Sequence, residues 1–314
     1  MRQKRRLFWI PRKPTKKSLK LQVNGKQSTK TKDNVEQLAA IQDEGLRSTK
    51  SQDIGDQLRK PQDDGKQSMN LTNHHKGVYN SLTEPPRNVK ECMDWLIALK
   101  GTDAEKNFKA LGAALHTFLV DKAVEFTDVP LLEEVRRISK EFLEQNELKD
   151  RRHVKEILEM INRFVNETPE DFAKTMGSNA VAVKQNIGHV VDGCEKFLEK
   201  IKTPKQYKSA YSSEATWDAT CAKDSEACAA IFLGIALMLY VGIGSLQDAW
   251  LDAHFRRPPF IAYKRMQGVL KALGFVEPEF RANMSVSDVE KALEGVNKRV
   301  LFITNEFARF WGLS

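Results

Sequence analysis

The chain has 314 residues, of which 41% are hydrophobic, so it is long enough to bury one substantial core and to carry a further segment. Its formal net charge of +8 would be typical of a nucleic-acid or membrane-binding protein, but the charge is unevenly placed. Residues 1–86 hold 18 Lys and Arg against 9 Asp and Glu, which leaves 32 against 33 for the remainder. The nearly neutral remainder therefore gives no sign of nucleic-acid binding.

Residues 1–80 are predicted to form a disordered basic tail. The first 20 residues contain nine basic and no acidic side chains, and the apolar run Leu7–Ile10 is too short for a secretory signal. Two copies of a 20-residue repeat begin at Gln27 and Arg47, and neither has enough apolar residues to bury a face. Binding of nucleic acid through this tail remains an alternative, less favoured than a solvated chain end.

From Ser81 onward the pattern predicts consecutive amphipathic helices. Asn88 caps a first helix that ends at Gly101, Thr102–Glu105 reads as a capping box, and Pro130 opens a third helix. Further helices are predicted over about 151–165, around Phe172, over about 179–202, after Pro258–Pro259 with Ile261 and Met266, behind a capping box at Ser287–Glu290, and over about 297–311. No alternating β-branched run predicts a strand. Residues 81–314 are therefore predicted to be one all-α domain.

The stretch Ala227–Leu246 is uncharged and has the length of a membrane-spanning helix. Its flanks carry Asp224, Glu226 and Asp248 with only Lys223 nearby, so no bias of Lys or Arg would orient a span. The neighbouring amphipathic helices also need an apolar partner. We therefore predict the central buried helix of the domain and keep a membrane span as the alternative.

Four cysteines, Cys92, Cys194, Cys221 and Cys228, are candidates for structural disulfides, and none has a partner at zinc-ligand spacing. On one continuous helix Cys221 and Cys228 would lie roughly 10 Å apart, too far for a bridge. They can pair if Cys221 precedes the helix and Asp224 or Ser225 caps it. Cys92 and Cys194 each lie on an apolar helix face, as core thiols or as a bridge between two helices.

Motifs for catalysis are absent from the sequence. There is no P-loop, no GxGxxG after a strand, no HExxH, no GxSxG and no EF-hand loop. The six histidines are scattered and lack convergent partners: His74, His75, His116, His153, His189 and His254. We therefore predict a non-enzymatic protein, with no catalytic, cofactor-binding or metal-binding residue.

Several stretches of the chain resemble the secreted antigen family of Babesia, the intraerythrocytic piroplasm parasites. They are Leu82–Asn107, Val135–Gln145, Val190–Ala229 with its YKSAYSSEATWDA run, Phe280–Asn297 and the aromatic run Phe307–Trp311. A more distant resemblance is to the variant erythrocyte surface antigens of the same parasites.

The resemblance implies a secreted or exported globular protein at the surface of the host erythrocyte. It implies protein–protein interaction with an unknown host or parasite partner, no catalytic activity and no transferable active-site residues. It also favours a soluble core over a membrane span for Ala227–Leu246. Family members typically begin with an apolar signal, which is not visible in this chain, and Phe280 replaces a frequent family cysteine.

Overall fold

The structure is a computed structural model that describes residues 78–121, 130–163, 180–255 and 259–312. Regular structure within these ranges is helical throughout, and two isolated bridges, Tyr79–Tyr211 and Lys202–Phe280, are the nearest approach to a strand there. The all-α prediction is confirmed for this part of the chain. The basic tail, its repeats and the short helix predicted around Phe172 lie outside it.

The helices follow one another closely along the chain, and most of their bounds agree with the sequence pattern. They are α1 (Val89–Lys100), α2 (Ala104–Asp121), α3 (Pro130–Leu143), α4 (Arg152–Arg163), α5 (Ala180–Ile201), α6 (Ser225–Phe255), α7 (Pro259–Ala272), α8 (Val286–Leu293) and α9 (Lys298–Ala308). A π turn, Trp217–Cys221, precedes α6, and a 3₁₀ turn, Arg309–Gly312, follows α9.

The first helix shows how local sequence fixes an element. The Asn88 side chain accepts a hydrogen bond from the Glu91 amide and so satisfies one free donor of the first turn. At the other end Gly101 adopts φ 50°, a conformation that favours glycine, and its amide donates to the Ile97 carbonyl. Both predicted ends of α1 are confirmed.

Two predicted capping boxes were placed wrongly. Helix α2 begins one residue later than expected, because Asp103 rather than Thr102 accepts the Lys106 amide. The box of α8 pairs Ser285 with Asp288 and begins two residues before the predicted Ser287. Ser285 and Ser287 both satisfy the capping-box pattern, and Asp103 caps α2 without completing a box, so the pattern alone does not choose the cap.

Helix α6 is the centre of the fold. Its side chains are buried from Ala227 to Leu246 with the exception of Tyr240, which is half-buried, and α1, α2, α3, α4, α7, α8 and α9 all pack against it. Among the described residues α6 is the single helix long and apolar enough to cross a membrane by length and composition, yet 94% of its most apolar window is buried within the fold. The structure therefore gives this helix protein neighbours on every side.

Close approach of neighbouring helices to α6 depends on its glycines. A Cβ atom on Gly242 would lie 2.4 Å from Val89 Cγ2 and 2.9 Å from Leu273 Cδ2. A Cβ atom on Gly244 would lie 2.5 Å from the His153 ring. Because glycine has no Cβ atom, α1 and α4 can pack directly against the α6 backbone at these two positions.

Candidate functional site

The Cys221–Cys228 disulfide predicted from the sequence is present. Cys221 ends the π turn before α6, and the Cα atoms of the two cysteines are 5.7 Å apart. Asp224 is the cap, because its carboxylate accepts the Ala227 amide at 3.0 Å. The chain therefore folds back ahead of the helix, as the spacing argument requires.

A second bridge between Cys92 and Cys194 is absent, which corrects the other disulfide candidate. Both residues are fully buried thiols on the packed faces of α1 and α5. Burial raises the pKa of each thiol, so both behave as small apolar side chains. Placement on two apolar faces does not guarantee the Cβ separation of roughly 3.5–4.5 Å that a disulfide needs.

We expect the Cys221→Ser/Cys228→Ser variant to lose about 2 kcal/mol of unfolding free energy, because the bridge closes a loop well short of fifteen residues. Denaturant titration followed by circular dichroism measures this change. Peptide mass mapping under non-reducing conditions should find this bridge and two unpaired thiols at Cys92 and Cys194. A mapped Cys92–Cys194 bridge would contradict the structure.

The segment from Tyr207 to Trp217 contacts residues 79–86, the stretch of chain that leads into α1. Tyr79 and Tyr211 form a parallel bridge, and their rings stack 4.8 Å apart. The Tyr211 hydroxyl donates to the Glu84 carbonyl at 2.7 Å, and the Trp95 indole donates to the Leu82 carbonyl at 2.8 Å. The contacts of Tyr211 with Tyr79 and Glu84 join segments about 130 residues apart in sequence, whereas the Trp95–Leu82 bond fixes the lead-in locally on α1.

A buried ionic cluster adds to these contacts. We call the contacts that residues 207–217 make with residues 79–86 and with α1 the clasp. Asp94, which is 1% exposed, accepts hydrogen bonds from the Tyr207 hydroxyl and from the Ala210 amide at 2.8 Å. Lys90 Nζ lies 3.1 Å from Asp94 and 2.9 Å from Glu279, and it donates to the Lys208 carbonyl. Since the charges of Lys90, Asp94 and Glu279 are paired with one another inside the domain, the cluster has a structural role.

The histidines within the described residues do not converge on a site. His153 is buried against Gly244 of α6, with Nδ1 3.2 Å from Asp248 Oδ2 and its ring 5.3 Å from that of Tyr240. Tyr240 in turn donates to Glu156 at 3.1 Å, and burial raises its pKa to about 12. No group of three or more potential metal ligands occurs in the described parts of the chain.

His153 should make stability depend on pH. Burial lowers its pKa, and this effect outweighs the attraction of Asp248 and Glu156. The unfolded chain therefore takes up the proton first as the pH falls below about 6.5, so the unfolding free energy should fall in that range. His153→Phe keeps a ring against Gly244 and should flatten this dependence in urea titrations between pH 7 and pH 5. A wild-type slope that persists in the variant would show that other groups cause it.

The far end of α6 and the start of α7 expose a compact set of large apolar side chains. We call this set the apolar tip: Leu251, Phe255, Phe260 and Ile261, which are 42%, 72%, 64% and 50% exposed. Helices α6 and α7 pack against each other, and three residues separate Phe255 from Pro259, so all four lie at one end of the pair. The Trp250, His254 and Phe255 rings follow each other along α6 at centroid distances of 5.5 and 4.5 Å.

Cations accompany the apolar tip in the sequence and, on α7, in the structure. Residues 250–265 contain four cations against the single acid Asp252, and of these Lys264 and Arg265 lie within the described residues, on α7. Lys264 Nζ lies 4.5 Å from the centre of the Phe260 ring, a cation–π contact on the surface. Exposed aromatic side chains beside cations are typical of binding surfaces, whereas single exposed apolar residues are ordinary.

The apolar tip was not predicted from the sequence, which placed Ile261 and Met266 together on one helix without indicating that Ile261 is exposed. Met266 is buried, but Ile261 lies in the first turn of α7, beyond the end of the core that α6 provides. The signal was available in the run WLDAHFRRPPFIAYKR, where aromatic residues flank a double proline and four cations. Such a run between two helices predicts an exposed turn that cannot bury its large side chains.

No family model, curated protein or solved structure matches the chain.

Proposed function

We propose that this protein is a non-enzymatic secreted or exported antigen of a blood parasite that binds a partner protein at the host erythrocyte interface. The apolar tip is the observation that carries the proposal. A partner surface with an apolar pocket flanked by carboxylates would complement the aromatic side chains and cations of residues 250–265. The segments around Leu82, Val190 and Phe280 resemble the Babesia secreted antigens, and this resemblance supports the proposed location at the host erythrocyte interface.

The energetics of the apolar tip suit an interaction site. Fully burying a Phe side chain contributes about 1.5–3 kcal/mol, and interface energy is usually concentrated in a few central aromatic and Arg residues. Phe255 and Phe260 are both exposed, the first at the last residue of α6 and the second in the first turn of α7. Two exposed aromatic side chains at the ends of neighbouring helices can serve as anchors for a partner.

A membrane-anchored protein that spans the bilayer with Ala227–Leu246 is the competing hypothesis. The length and composition of α6 support it. Insertion would remove α6 from the helices that cover it and would expose their apolar faces to water. We therefore favour binding by a folded domain over anchoring. A nucleic-acid function would depend on the basic tail, which lies outside the described residues.

The test is binding of the full-length protein to intact erythrocytes, measured by flow cytometry. We expect saturable binding that is lost when surface proteins are removed with trypsin. Phe255→Ser/Phe260→Ser should weaken binding at least tenfold, because two aromatic anchors correspond to more than 1.4 kcal/mol.

Phe302→Ser is the matched control, since Phe302 is as exposed as Phe260, at 64%, but stands apart on α9. The control should bind like the wild type. Absence of saturable binding, or equal binding by the wild type and the tip variant, would contradict the proposal. Undiminished binding to trypsin-treated cells would show that the partner is not a protein.

A further inference from the structure

A cleft distant in sequence from the apolar tip opens between α3 and α4. It has a volume of about 520 Å³, within the range of small-molecule sites. One face of α3 lines it with residues at helical spacing, and the remaining lining comes from α4, α6, the loop after α3 and the C-terminal turn. The described lining residues are Arg136, Ser139, Lys140, Leu143, Glu144, Lys149, Val154, Leu158, Leu237 and Trp311.

The interior of this cleft is apolar. Leu143, Val154, Leu237 and Trp311 are buried, while Leu158 at the rim is 46% exposed. The Trp311 ring is fixed because its indole nitrogen donates to the Leu233 carbonyl at 3.1 Å. A rigid apolar lining of this kind suits the hydrocarbon portion of a ligand.

Ser139 offers no accessible hydrogen-bonding group to the cleft. It is 4% exposed, and its Oγ atom is buried towards α6, 3.5 Å from the position that a Cβ atom on Gly234 would take. Polar recognition of a ligand in this cleft would therefore depend on the charged side chains at its rim.

The charged lining residues are mostly positive. Arg136, Lys140 and Lys149 stand against the single acid Glu144. Arg136 pairs with Glu133 at 3.1 Å and Lys140 lies 3.9 Å from Glu144, whereas Lys149 makes no ion pair with a described residue. The resulting excess of two positive charges favours a monoanion over an uncharged head group.

We propose that this cleft binds a long-chain anionic amphiphile. The hydrocarbon chain would lie on Leu143, Val154, Leu158 and Trp311, and the anionic head group would pair with Lys140 and Lys149 at the rim. A carboxylate and a phosphate head group share this chemistry. This site is independent of the apolar tip and of its partner.

The test is isothermal titration of the full-length protein with dodecanoate below its micelle concentration. We expect binding at one molecule per chain. Dodecanol should bind several-fold more weakly because it lacks the charge. Lys140→Glu and Lys149→Glu should each weaken dodecanoate binding about three- to fivefold, the range expected for one exposed charge. Leu158→Asp should weaken it about tenfold.

Two variants away from the cleft lining serve as controls. Leu251→Asp places the same charge on an exposed leucine of the apolar tip, and Lys155→Glu reverses an exposed charge on α4. Both should leave the affinity for dodecanoate unchanged. Absence of saturable binding, equal affinity of the cleft variants and the controls, or equal affinity for dodecanol and dodecanoate would overturn the proposal. A parallel titration with dodecyl phosphate identifies which anionic head group binds more tightly.

Discussion

Replacing Asp94 by alanine should lower the unfolding free energy by about 3–5 kcal/mol, the range for breaking a buried ion pair from one side. Asp94 is 1% exposed, and burial raises its pKa, so its ionised form is held by protein groups in place of water. Its loss would leave the Ala210 amide and the Tyr207 hydroxyl without their acceptor. Urea titration followed by circular dichroism measures the change.

The effect of Asp94→Ala should be specific to burial. Asp218→Ala is the control, because the Asp218–Lys106 pair is also ionic but lies at the surface, with side chains 68% and 55% exposed. Exposed pairs contribute little, so this variant should unfold close to the wild type. Equal losses for both variants would show that the clasp around α1 is not the stabilising unit inferred here.

Replacing Gly242 by valine should cost about 3 kcal/mol or more, since the added atoms enter a space that is already filled. Even the Cβ atom would lie 2.4 Å from Val89 Cγ2, and Val89 is a stiff, fully buried β-branched side chain on α1. The Leu273 side chain lies 2.9 Å away on another side. Relief would require α1 to move away from α6. Thermal unfolding of the variant measures the loss.

Gly268→Ala is the matched control for Gly242→Val. Gly268 also lies inside a helix, α7, but a Cβ there would meet only the Glu147 side chain at 3.6 Å. Because alanine favours helix over glycine by about 1 kcal/mol, the control should be neutral or slightly stabilised. If both variants lost stability equally, helix packing on α6 would not explain the need for Gly242.

The sequence predicted the helices well because their signals are local. Asn88, Gly101 and Pro130 mark helix ends through groups within a few residues of each other. The uncharged composition of Ala227–Leu246 likewise identified the most buried element before any neighbour was known. The errors at Thr102 and Ser287 arose where a second residue, Asp103 or Ser285, one or two positions away could also serve as the cap.

Features that depend on long-range placement were not predictable in this way. The clasp between Tyr79 and Tyr211 joins segments that only the fold brings together. The cleft is lined by Trp311 near the C-terminus together with residues of α3 and α4. Sequence spacing does not predict this long-range contact. Cys92 and Cys194 lie on buried helix faces, as the sequence predicted. Whether they form a bridge depends on the distance and orientation of their side chains, which the sequence does not specify.

The central claim of this account is that α6 is the buried core of a folded, water-exposed helical domain. Hydrogen exchange of the full-length protein in detergent-free buffer, read by mass spectrometry, tests this claim most directly. We expect a monodisperse protein in which amides between Ile231 and Leu246 exchange more slowly than any others in the chain. Fast exchange there that becomes slow only after lipid bilayers are added would contradict the account and identify α6 as a membrane span.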